Sequence, residues 1–244
     1  MYYFASDIHL GAGDKECARR VESRFVEWLD SVAGDAETIY LLGDIFDFWY
    51  EYRRVVPKGF VRTLAKLAEL TSRGIRVVFL IGNHDMWVRD YLTEECGIEV
   101  YTKPIIEQVA GQRLFLAHGD NMMIEGMPML KLMNGLFRSR VARVLFSWLI
   151  HPDLALKFGH WWSGKSRKAH GGEIPETVND ALGRYAEELS AREGIDICVF
   201  GHTHKSELRQ CDHTSVLFLS EWEHRPAYGV MSPDGEIKLC DLKF

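Results

Sequence analysis

The chain has 244 residues, 47% of them hydrophobic and 26% charged, the composition of a globular protein and not of a disordered, collagen-like or disulfide-rich one. Its net charge of −6, from 29 basic and 35 acidic residues, argues against a general nucleic-acid binder, because neutralising phosphates needs a basic face. Five scattered cysteines (Cys17, Cys96, Cys198, Cys211 and Cys240) form no paired motif and point to a reducing compartment.

Tyr2, Tyr3 and Phe4 open a short β-rich run over 2–6 with neither a basic leader nor a long apolar core before it. A cytoplasmic protein without a secretory signal is therefore expected, and the apolar runs are too short and interrupted to span a bilayer. Helical spacing follows over 14–33 through Val21, Phe25, Trp28, Leu29 and Val32. The continuous apolar run 38–42 reads as a strand buried on both faces. A second helix, 58–72, places Phe60, Leu64, Leu67 and Leu70 on one side and stops at Gly74. Another strand spans 76–81, and this alternation predicts a right-handed, largely parallel sheet with helices on its faces. Further strands are expected at 99–101, 105–109, 114–117, 195–200, 216–220, 227–231 and 237–242, the C-terminal ones as antiparallel hairpins.

The charge is uneven. Between Met127 and His170 stand eight basic residues and one acid, Asp153, so this segment is +7 and the rest of the chain −13. The same segment is rich in Leu, Met, Phe and Trp, and Pro152 is placed to separate two helices. It reads as a helical hairpin insertion over 122–170, one face apolar and one basic, on a core formed by 1–121 and 171–244. Such a segment suits an anionic, greasy partner, although a solvated basic face on an ordinary hairpin has the same composition.

Polar residues fall at strand ends. Asp7 and His9 follow the first strand, Asp44 and Asp47 the second, and Asn83, His84 and Asp85 the third. His118 follows 114–117, and His202 and His204 follow 195–200. In an open α/β sheet, side chains just past the carboxyl ends of strands converge on one crevice. Carboxylates, imidazoles and an amide suit Mn²⁺, Fe²⁺ or Zn²⁺. Any one pair is also what a helix cap or a turn uses; five in succession at strand ends share no such explanation.

Together Asp7 and His9, Gly43, Asp44 and Asp47, Gly82 to Asp85, His118, and Gly201, His202 and His204 resemble the full signature of the calcineurin-like metallophosphoesterases. The resemblance implies a sandwich of two β-sheets flanked by helices, with two divalent metal ions, manganese first and iron or zinc as alternatives. One metal would take Asp7, His9, Asp44 and His204, and the other Asn83, His118 and His202, with Asp44 bridging. Paired cations of this kind clamp both sides of an in-line phosphoryl displacement and activate a water. His84 and Asp85 resemble the leaving-group pair, the imidazole protonating the departing oxygen and the carboxylate fixing its tautomer. Asp47 reads as a supporting or turn-forming residue and not as a ligand.

The insertion looks like the lid of the UDP-2,3-diacylglucosamine diphosphatases of lipid A biosynthesis. That implies cleavage of a pyrophosphate to UMP and 2,3-diacylglucosamine 1-phosphate, acyl chains held between lid and core, and peripheral attachment to the cytoplasmic face of the inner membrane. Implied substrate contacts are Asn83, Glu125, Ser166, Arg167, Lys168, His170 and His202. The chain departs from that family in carrying His84 where Arg is usual, Glu125 followed by Gly126 where an acidic pair stands, and His170 at a position often Asn. The alternatives are another lipid-linked or nucleotide phosphoester or pyrophosphate, and a non-catalytic metal-bound scaffold. The sequence sets no oligomeric state.

Overall fold

The computed structural model describes residues 1–122, 135, 139–169 and 177–242. Glu125 and His170 lie outside the described residues, as do the side chains of Ser166, Arg167 and Lys168 on the last turns of a helix. The elements run β1 (Tyr2–Ala5), α1 (Lys15–Val32), β2 (Thr38–Leu42), α2 (Val61–Ser72), β3 (Arg76–Leu80), α3 (Tyr91–Cys96), β4 (Glu99–Tyr101), β5 (Ile105–Val109) and β6 (Gln112–Ala117). They continue with α4 (Arg140–Leu149), α5 (Pro152–Ala169), α6 (Thr177–Glu193), β7 (Ile197–Phe200), β8 (Glu207–Gln210), β9 (Ser215–Phe218), β10 (Ala227–Met231) and β11 (Ile237–Asp241).

Two sheets face each other, as the sandwich expectation requires. One has the order β11-β10-β1-β2-β3-β4 and the other β5-β6-β7-β9-β8. β1 to β4 are mutually parallel in the first sheet, and β6, β7 and β9 in the second. Strand alternation distributes the core. Phe4, Tyr40, Leu42, Val78 and Leu80 point inward to meet Leu114, Leu116, Ile197, Val199 and Leu217 of the other sheet. Their neighbours Ala5, Ile39, Leu41, Val77 and Phe79 face out, against Phe25, Trp28 and Leu29 of α1 and Leu67 and Leu70 of α2. On the far side, Phe115, Cys198, Phe200 and Phe218 pack against Leu182, Ala186 and Leu189 of α6. Each fully buried Phe or Leu contributes about 1.5–3 kcal/mol, so the strands are held from both faces. Asp14 starts α1 by accepting from the backbone N–H groups of Glu16 (3.0 Å) and Cys17 (2.8 Å).

Three features differ from the expectation. β9 does not form a hairpin with β10; it joins β7 in parallel and β8 in antiparallel, while β10 pairs with β1 in the other sheet. The antiparallel hairpins at this end are β8 with β9, and β10 with β11 across Ser232 to Gly235. Second, α2 begins at Val61, because Phe60 sits in the left-handed region at φ 59° and cannot extend the helix backward. Third, α3, α6 and β8 carry no expectation from the sequence.

Within the expected insertion, α4 and α5 are separated by Ile150 and His151, with Pro152 opening α5. Both lie against the segment after β2. Tyr50 Oη and Ser147 Oγ are 2.8 Å apart, and Tyr52 Oη donates to the Ile150 carbonyl at 2.9 Å. Phe146 sets its ring against Tyr50 and Trp87. Eight of the twelve exposed large apolar side chains among the described residues sit on α4 and α5, including Trp148 (86% exposed) and Leu149 (77%). No helix among the described residues is long and apolar enough to cross a membrane.

Candidate metal centre

Five parallel strands, three in one sheet and two in the other, end at the same edge of the sandwich. The loops after β1 and β2 are stitched together, with Asp7 N–H donating to the Gly43 carbonyl (3.1 Å) and His9 N–H to the Asp44 carbonyl (3.0 Å). Loop β3–α3 joins them through the His84 N–H, which donates to Asp44 Oδ1 at 2.8 Å. The loop after β7 closes the ring through the His202 N–H, which donates to Asp7 Oδ2 at 2.9 Å. Gly82 is needed for this approach, because a Cβ there would fall 2.1 Å from Asp44 Oδ1.

Backbone strain marks the same residues. Among the described residues seven non-glycines have positive φ, and five of them are Asp7 (55°), His9 (49°), Asp44 (54°), His202 (66°) and His204 (58°). At about 1–3 kcal/mol each, such conformations persist where the surroundings fix a functional geometry.

The donor atoms converge. Asp7, His9 and His204 form one group, Asp44, His118 and His202 a second, and His9, Asp44 and His84 a third, all ligand atoms in each lying within 4.8 Å of one another. Asp44 Oδ2 is the hub, 3.4 Å from His118 Nε2, 3.9 Å from His84 Nε2 and 4.0 Å from His9 Nε2. Asn83 Oδ1 lies 3.2 Å from His118 Nε2 on the second side. All seven residues expected to bind metal thus meet in one place, and His84, expected only as a catalytic group, is within ligand range beside them.

The residues fit a pair of cations. Asp7 Oδ1 is buried without a hydrogen bond, 3.3 Å from His204 Nε2 and 3.8 Å from His9 Nε2. His9 Nε2 and His204 Nε2 face each other at 3.4 Å. Imidazole nitrogens aimed together at a buried carboxylate are what a shared cation stabilises, and the absence of sulfur from the set favours borderline and hard metals. His118 Nδ1 donates to the Leu42 carbonyl at 2.8 Å, which turns Nε2 toward the centre.

Electrostatics bear on loading. Burial works against ionising Asp7, but His204 and His118 beside it outweigh that and lower its carboxyl to about 2. Asp44 is held well below the carboxylate range, burial again being overcome by His118 and His84. Burial opposes charging His118, yet Asp44 raises it well above an ordinary imidazole; His204 is raised by Asp7 in the same way. Burial lowers His9 to about 3 and His202 to about 4. Raised imidazoles hold protons near neutrality that a metal must displace. Binding of a divalent cation at pH 7 is therefore expected to release protons, and the release should shrink as the pH rises and these imidazoles lose their protons unaided. Calorimetry in buffers of different ionisation enthalpy checks this; a release of zero at pH 7 would mean that His118 and His204 are already neutral.

Asp85 requires a correction. Both its oxygens are taken by backbone, Oδ1 by Gly82 N–H (2.7 Å) and Oδ2 by Ile45 N–H (2.8 Å), and its side chain is fully buried. It ties the loops after β2 and β3 together and does not orient His84. That task falls to the Asp47 carbonyl, which accepts from His84 Nδ1 at 2.8 Å and turns His84 Nε2 toward Asp44. The sequence also passed over Ser163 of α5, whose Oγ donates to Asp47 Oδ1 at 2.6 Å. The signal for it was available: Ala155, Gly159 and Ser163 form a small-residue face at helical spacing.

Comparison with known proteins agrees with this geometry. The family model described as calcineurin-like phosphoesterase matches residues 2–206. A UDP-2,3-diacylglucosamine hydrolase of Porphyromonas gingivalis is 37% identical over 243 residues, covering 93% of this chain and 92% of that protein. Proteins of the same name from Histophilus somni and Nitrosococcus oceani are 27% and 25% identical, covering 90% and 96% of this chain and 91% and 92% of theirs.

Proposed function

The chain belongs to the calcineurin-like phosphoesterase family, and from that premise we propose that it hydrolyses the pyrophosphate of UDP-2,3-diacylglucosamine to UMP and 2,3-diacylglucosamine 1-phosphate, a step of lipid A biosynthesis. The observation that carries the reading is the relative named for this substrate, 37% identical over 93% of the chain, taken with a donor set assembled from five strand ends. Asp7, His9, Asp44 and His204 would hold one divalent ion, and Asn83, His118 and His202 the other, with Asp44 between them. Manganese is the metal we assign first, with iron or zinc suited to the same donors. When bound, two dications polarise a phosphoryl group and make an attacking water acidic.

The chain's own residues supply the rest. Asp7 and Asp44 stay ionised well into acid, so the centre keeps the charge that a cation pair needs. His84, anchored at Nδ1 by the Asp47 carbonyl, presents Nε2 to the crevice, where it can hold a proton for the departing phosphate oxygen. Ser166, Arg167 and Lys168 end the helix that leans on this loop, in the right segment to meet the sugar phosphate; Glu125 and His170 are assigned on sequence alone. The apolar surface of α4 and α5 suits two acyl chains and a lipid surface, at about 0.8 kcal/mol per buried methylene. We place the protein peripherally at the cytoplasmic face of the inner membrane, attached through this insertion.

Turnover of UDP-2,3-diacylglucosamine in detergent, set against UDP-N-acetylglucosamine, tests the substrate. The lipid-linked compound is expected to be hydrolysed at least about a hundredfold more efficiently, because the soluble sugar nucleotide forfeits the buried acyl area. Equal rates, or a preference for the soluble compound, would select a nucleotide pyrophosphatase with a merely structural insertion.

A further inference from the structure

Among the described residues, a polar chain links the insertion to the metal centre. Along α5, Ala155 is fully buried, a Cβ on Gly159 would lie 2.4 Å from the Phe48 ring, and Ser163 follows one turn later. This face lets the helix settle directly on the loop after β2. There Ser163 Oγ donates to Asp47 Oδ1 at 2.6 Å, both residues about 1% exposed. Asp47 Oδ1 is also 3.8 Å from His9 Nδ1. That nitrogen is buried without a hydrogen bond, while Nε2 of the same ring faces Asp7 and Asp44.

A metal-binding histidine fixes its ring by donating its other N–H to a carboxylate or carbonyl. His118 and His84 do so to backbone carbonyls of the core, each at 2.8 Å. His9 differs, because the acceptor facing its Nδ1 is a side chain, and that side chain is held from the insertion. Closing the gap to hydrogen-bond length takes a movement of about 1 Å.

We propose that Ser163 and Asp47 are positioning residues for His9, so that the seating of α5 sets the affinity of one metal position. The centre is then completed only when α5 is seated on the loop after β2. The proposal rests on the metal-binding reading of His9 and not on the identity of the substrate.

The test is Mn²⁺ binding to the metal-free full chain, followed by the electron paramagnetic resonance signal of free Mn²⁺, with thermal unfolding alongside. Asp47→Ala is expected to weaken one of two equivalents about ten- to a hundredfold. Ser163→Ala should weaken the same equivalent about three- to tenfold, with no further loss in the Asp47→Ala background, and Ser163→Thr should restore it. Ser163→Ala with both wild-type affinities and a lowered melting temperature would reduce the contact to packing and overturn the proposal. So would additive losses in the double variant. Failure of the wild-type chain to take two equivalents would defeat the metal reading itself, and the proposal with it, whereas failure of the lipid substrate would leave these binding results untouched.

Discussion

Asp44→Ala is expected to lower hydrolysis by about a thousandfold or more while leaving the sandwich folded. Asp44 is the carboxylate that all three donor groups approach or share: its Oδ2 faces His118, His84 and His9 within 4.0 Å, and its Oδ1 accepts the His84 N–H. On the proposed assignment, removing it would take one ligand from each metal position and the one group that joins them. It also takes the acceptor from the half-buried His84 N–H, a cost of at most about 1–3 kcal/mol, and lets His118 fall back toward an ordinary imidazole, since Asp44 is the first of the groups that raise it. Circular dichroism and Mn²⁺ stoichiometry distinguish loss of the centre from loss of the fold. Retention of a tenth of the activity would mean that Asp44 does not bridge.

The second large effect is expected at the surface of the insertion. Trp148 and Leu149 are 86% and 77% exposed, so replacing both with serine should leave stability within about 0.5 kcal/mol. If these side chains enter a lipid surface, each contributes about 1.5–3 kcal/mol there. The double variant should therefore bind anionic vesicles more than about a hundredfold less tightly. Turnover of lipid substrate in vesicles should fall with it, while a soluble phosphodiester is hydrolysed as before. Unchanged vesicle binding would remove the membrane role from α4.

Much of this was legible in the sequence because strand direction and strand ends are local signals. The apolar runs at 38–42 and 76–81 announce parallel strands buried on both faces, and β2 and β3 are paired in parallel. Parallel strands place their following loops at one edge, so Asp7, Asp44, Asn83, His118 and His202 meet without further information. What escaped was set by tertiary context. β8 is an edge strand with alternating exposure, α3 has six residues, and α6 buries a narrow face of Leu182, Ala186 and Leu189. The division of β9 and β10 between two sheets follows from which strand each one finds, and turn residues do not report that. The role given to Asp85 failed for a different reason. A side-chain pattern cannot reveal that the acceptor for His84 is a backbone carbonyl, or that both Asp85 oxygens are consumed by N–H groups of two loops.

The most direct test is UMP release from UDP-2,3-diacylglucosamine by metal-stripped protein in detergent, repeated as Mn²⁺ is restored. A two-metal pyrophosphate hydrolase should be silent when stripped, recover until two equivalents are bound, and yield UMP and 2,3-diacylglucosamine 1-phosphate in equal amounts. Release without metal would contradict it. So would no release at two bound equivalents from protein that still cleaves a generic phosphodiester.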